Sequence, residues 1–189
     1  MSSSYLFDND SPQTEALLTW WHELDKNRGE RAELRRCHKL TEVAFSPAYH
    51  RLRLALIHVG SVNDDKLTLV AGLAVRVKVD SAGSSIAEQM ATPKDGSKDN
   101  AKVSGLRFRR LLKVKDQEDL FISMSRIIAL LGGAVNLGAL HKAFTSGMTE
   151  RASSGRLSII QKQLTKHKKG GVTYEYIYST AHAYIVSTV

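Results

Sequence analysis

The stretch SGLRFRRLLKVKDQEDLFISMSRIIALLGG, Ser104 to Gly133, decides the fold class. Its apolar residues return at helical spacing from Leu106 and continue through Leu120, Met124, Ile127, Ile128 and Leu131 as one stripe, which the Gly132-Gly133 pair ends. At about 100° per residue, Arg107, Arg109, Arg110 and Lys113 fill one arc of its first helix. Phe108, Leu111 and Leu112 fill the opposite arc. One side can pack, and the other can face an anion.

The same grammar runs through the rest of the chain. Ser11-Pro12 reads as an N-cap followed by proline at the first helical position, ahead of Leu17, Trp20, Trp21 and Leu24 on one face. Both tryptophans are read as core anchors. Ser46-Pro47 repeats the start signal before Tyr49, Leu52 and Leu56. Asp64-Asp65 can start a further helix through Leu67 to Val79, although that Val-rich run also suits a buried strand. After Gly133, Asn136 is a candidate cap for a helix that buries Leu137, Leu140 and Phe144, and GGAVNLG reads as a helix-helix turn.

The expected architecture is all-α, with two small helical-bundle lobes joined by a polar linker. Residues 1–80 make the N-terminal lobe and 104–189 the C-terminal lobe. The connection, 81–103, is rich in Gly, Ser, Asp and Lys. The end of the chain, VTYEYIYSTAHAYIV, alternates Tyr174, Tyr176 and Tyr178 in a strand-like period and departs from the helical pattern.

Charge bounds the function. Across 189 residues, 27 Lys and Arg against 19 Asp and Glu give a formal net charge of +8, which attracts phosphate backbones and anionic surfaces. A spanning helix is not expected, because the most apolar run is interrupted by Arg76 and Lys78 and falls short of about 18 uncharged residues. The opening MSSSYLFDND lacks the basic and then apolar order of a secretory signal, and the single cysteine, Cys37, allows no intramolecular disulfide. A cytoplasmic protein is expected.

The positive charge is concentrated in Arg28 to Arg36 (RGERAELRR), Lys102 to Lys115 and Arg151 to Lys169, and the last two contain no Asp or Glu. In the first, Arg28, Arg31 and Arg35 share an arc, with Glu30 and Glu33 nearby as candidate partners. In the third, Arg151, Lys162, Lys166 and Lys169 lie opposite Leu157, Ile160 and Leu164. Any one such arc also reads as a solvated helix face. Arginine supplies a planar fork that holds phosphate through two hydrogen bonds, and it serves buried ion pairs equally well, so both uses stay open for these residues.

Signals for catalysis and metal binding are absent from the sequence. The seven histidines show no HExxH or Cys-His pairing, the glycines form neither GxGxxG nor a P-loop, and no GxSxG is present. Cys37 and His38 are adjacent, which on a helix points them about 100° apart, so Cys37 is read as a small buried thiol. No enzyme, metal or cofactor is expected.

Taken together, LTWWHELDKNRGERAELRRC, AFSPAYHRL and SGLRFRRLLKVKDQEDLFISMSRIIALLGGAVNLGALHKAF resemble the CasB family, the small subunit of the type I-E CRISPR surveillance complex called Cascade. The specific elements are the RGxRAxLRR run at Arg28 to Arg36, the Arg-Arg-Leu-Leu run at Arg109 to Leu112 and the apolar helix after it, and the similarity covers about residues 15 to 147. The resemblance implies a non-catalytic, all-α subunit that works as a pair of copies beside the backbone and large subunits. It implies contact with guide RNA and target DNA, including the displaced single strand of the R-loop, in antiviral defence. On that basis the nucleic-acid-binding residues are expected to be Arg28, Arg31, Arg35, Arg36, Arg107, Arg109 and Arg110. Lys113 is added from its helix face, and Arg151, Lys162, Lys166 and Lys169 are a weaker extension. The C-terminal segment RASSGRLSIIQKQLTKHKKGGVTYEYIYSTAHAYIV departs from the family pattern, and 81–103 resembles an insertion. Two rival readings are a stand-alone helical DNA-binding regulator and a protein-only scaffold.

Overall fold

Side chains that close helix ends set the element order. The computed structural model describes residues 11–60, 62–81, 83–94 and 101–145. Ser11 Oγ accepts the Thr14 amide at 3.1 Å to open α1 (Pro12–Lys26), and Ser46 Oγ accepts the Tyr49 amide at 3.2 Å to open α4 (Pro47–Ile57). Between them lie α2 (Arg28–Arg36) and α3 (Leu40–Ala44). Asn63 caps α5 (Asp64–Ala74), and Asp116 caps α8 (Gln117–Leu130) after α7 (Gly105–Leu112). Asn136 Oδ1 accepts the Ala139 amide at 2.8 Å at the start of α9 (Leu137–Thr145).

The expected all-α class is what the described residues show. The Leu67 to Val79 run divides by its partners: it is helical to Ala74, then extended at β1 (Val79–Asp80). That strand pairs in parallel with β2 (Ala134–Val135), Val79 opposite Ala134 and Asp80 opposite Val135. GGAVNLG is therefore more than a turn. Gly132 and Gly133, at φ 74° and 81°, adopt the left-handed backbone that ends α8, and the Gly133 carbonyl accepts the Lys78 amide at 2.8 Å.

From Leu67 to Ala74, helix α5 is buried on every side, and it packs against α3, α4, α8 and α9. Gly72 makes the α8 approach possible, because a Cβ there would lie 2.7 Å from the Phe121 ring and 3.1 Å from Val43. Both tryptophans are core anchors, with indole N–H groups donating to Ala48 O at 2.8 Å and Ala74 O at 3.0 Å. Side chains from before and after the 81–103 segment meet in one contiguous core, and that segment carries α6 (Ile86–Ala91), with Ile86, Ala87, Met90 and Val103 buried. Two carboxylates reach across the fold to cap helices of the other half. Asp80 accepts the Leu137 amide of α9 at 2.9 Å, and Glu118 of α8 accepts the Leu40 amide of α3 with both oxygens, at 3.1 and 3.2 Å.

Candidate nucleic-acid interface

The α2 arginines do different work although they share a wheel arc. Arg31 points inward: its guanidinium lies 5.2 Å from the Trp21 ring centre, donates to the Val77 carbonyl and pairs with Asp25. Its side chain is only 12% exposed. Burial, then the nearby Arg35 charge, lowers its pKa, although arginine stays protonated in proteins. Arg28, Arg35 and Arg36 are exposed and make no ion pair among the described residues. Glu30 takes none of them as a partner. It receives both terminal nitrogens of Arg51 from α4, one at 2.8 Å, and this bond holds its carboxyl below the usual range.

Helix α7 packs through Phe108 and Leu111 and turns Arg107, Arg109, Arg110 and Lys113 to solvent. Leu106 is corrected from stripe to surface. It is 54% exposed, because its wheel position falls at about 260° when Arg107 is set at 0°, inside the basic arc. Arg109 Nε donates weakly to Gly105 O at 3.4 Å, and Arg107 and Arg110 have no ion-pair partner among the described residues. Arg126 of α8 is likewise exposed and escaped the sequence reading. Arg151, Lys162, Lys166 and Lys169 lie outside the described residues, as do the tyrosines of the C-terminal segment.

A further arginine missed from sequence is Arg76, which there looked like an interruption of an apolar run. Its fork donates to Gly72 O and, at 2.7 Å, to Cys37 O, and it lies 4.6 Å from the Phe121 ring centre. Burial lowers its pKa, and among the described residues no carboxylate pairs with it. Cys37 is the buried thiol expected, its pKa raised mainly by burial, which disfavours the thiolate a nucleophile would need. Among the described residues no His, Cys, Asp and Glu group could hold a metal ion, and no helix is long and apolar enough to cross a membrane.

With this basic, helical arrangement in place, one comparison decides the family: the family model of CRISPR-associated protein Cse2, also called CasB, matches residues 30–157. The chain belongs to the Cse2 family. Membership makes it a small, structural subunit of the type I-E CRISPR complex Cascade. The match contains α3 to α9 and most of α2, and with them Arg31, Arg35, Arg36 and the α7 basic arc, while Arg28 falls just before it. No curated protein and no solved structure matches the chain.

Proposed function

We propose that this Cse2 subunit stabilises the R-loop by offering backbone contacts to the guide RNA–target DNA pair and to the displaced strand, without catalysis. The observation that supports this most is the set of exposed arginines Arg28, Arg35, Arg36, Arg107 and Arg110, which make no ion pair among the described residues, with Glu30 and Glu42 engaged elsewhere. Such contacts matter because the heteroduplex is about as stable as the DNA duplex it replaces, so modest protein contacts can hold the loop open. Sequence readout then belongs to base pairing, and the protein needs distributed arginines rather than a base-reading helix. Arg31 serves the reading by fixing α2.

The scaffold role draws support from a separate surface. Phe45, 83% exposed, and Leu54, Ile57 and Val59 present apolar area around α4, suited to the backbone subunits, the large subunit or a second copy of the chain. The two roles are compatible. The test is an assembled complex carrying Arg107→Glu, Arg110→Glu and Lys113→Glu together. The subunit is expected to be incorporated normally while target DNA is released faster, and unchanged retention of target DNA would refute the proposal.

A further inference from the structure

The segments that follow the two basic arcs, far apart in sequence, are tied at one joint. Arg36 ends α2 four positions before Leu40, and Lys113 follows α7 five positions before Glu118. Glu118 holds the Leu40 amide with both carboxylate oxygens. At ~3.5 Å per residue those connections plus the Glu118 side chain span no more than roughly 40 Å. Both arginine ends therefore lie within the reach of about a dozen nucleotides at 3.4 Å per phosphate.

The acids around the joint make no ion pair with its arginines among the described residues. Glu42 accepts the His38 and Lys39 amides at 2.7 and 3.2 Å, and Glu118 is taken up by Leu40. Glu33 is exposed and makes no ion pair among the described residues. From the inner side, Arg76 donates to the Cys37 carbonyl at the end of α2. The joint is thus held at its first residue by a cation from the end of α5 and at its last by an anion from α8.

Resting on the nucleic-acid reading above, we propose that Glu118, aided by Arg76, is a positioning residue that fixes the arginine ends of α2 and α7 into one basic tract for a single phosphate backbone. Two linked patches on a rigid frame bind a polyanion more tightly than the same patches moving independently, because less conformational freedom is lost when both engage. Glu118 is the informative residue because charge and position predict opposite signs. Removing an acid beside arginines strengthens polyanion binding if only charge matters, and weakens it if the acid holds the tract together.

The experiment uses the full chain in the assembled complex, with Glu118→Ala, Glu118→Gln and, as a reference, Arg35→Glu, Arg36→Glu and Arg110→Glu combined. Incorporation is checked by subunit stoichiometry, and target-DNA affinity is measured across a salt series. Glu118→Ala is expected to bind at least about threefold more weakly, with a shallower dependence of log affinity on log salt although no basic residue has been removed. Glu118→Gln keeps an acceptor oxygen for Leu40 and is expected to bind as tightly as wild type or tighter. Wild-type or tighter binding by Glu118→Ala overturns the inference, as does equal weakening by Glu118→Gln. If Glu118→Ala fails to assemble, Arg76→Lys decides: it keeps the charge but loses the fork, and an unchanged salt slope overturns the inference. An unaffected reference variant would instead sink the nucleic-acid reading itself.

Discussion

Substituting Gly72 by alanine should destabilise the protein, against the usual effect of that change in a helix. In an open helix interior alanine is favoured over glycine by about 1 kcal/mol. Here the new Cβ would sit 2.7 Å from Phe121 Cε2, 3.3 Å from its Cζ and 3.1 Å from Val43 Cγ2. Phe121 is 1% exposed and Val43 fully buried, so neither can swing into solvent. The whole α5–α8 contact must open. Overpacking of this kind costs about 1–3 kcal/mol, and with a rigid ring at sub-van der Waals distance the upper part of the range applies. Subtracting the propensity gain leaves a net loss of ~2 kcal/mol, or a fall in Tm of roughly 4–8 °C for a protein of this size. Gly29 is the control, since its added Cβ would meet only Asn27 Oδ1 at an ordinary 3.7 Å, and Gly29→Ala should be neutral or stabilising. Thermal melts of both variants by circular dichroism make the test. A Gly72→Ala protein as stable as wild type, or more so, would refute the close approach of α5 and α8. Because Arg76 stacks on Phe121, the same variant should also loosen the end of α2.

Arg31→Gln should cost about 2–3 kcal/mol in urea denaturation, because it strips partners from the Val77 carbonyl and Asp25, whereas Arg35→Gln should stay within about 0.5 kcal/mol. His141 is buried with Nδ1 3.2 Å from Thr14 Oγ1, and burial lowers its pKa below the usual 6.5. The unfolded chain then binds more protons, so this contribution to stability is present above about pH 6.5 and is lost as pH falls towards the depressed folded value. Melts at pH 5.5 and 7.5 should differ less in His141→Gln than in wild type. Asp80→Ala leaves the Leu137 amide without its acceptor and should cost about 0.5–2 kcal/mol, with hydrogen exchange accelerated first at the start of α9.

What was legible in the sequence was local. Ser11-Pro12, Ser46-Pro47, Asn136 and the Gly132-Gly133 pair act within one helical turn, so their residue types alone place helix ends, and the buried faces of α1, α4, α8 and α9 follow from spacing. What escaped depends on partners distant in the chain. The extended backbone after α5 is set where Lys78 meets the Gly133 carbonyl, and no pattern between Leu67 and Val79 announces that. Arg31 and Arg35 share an arc, but Arg31 lies about 60° from buried Leu34 and Arg35 about 100°, and the nearer one falls against Trp21 and Val77. Glu30 turned to Arg51 of α4 instead of its own helix, and Arg76, which looked like a break in an apolar run, ties the ends of α2 and α5 together.

Under the proposed function, the α7 basic arc touches nucleic acid within the assembled complex. Leu106 allows a direct measurement, since it is exposed inside that arc and carries no charge to lose. A photoreactive benzoylphenylalanine at position 106, irradiated in a complex holding an open R-loop with each strand separately labelled, should cross-link to the displaced or target DNA strand or to the guide. Cross-links confined to neighbouring protein subunits, with all three strands left free, would contradict the account and leave the chain a protein-only scaffold.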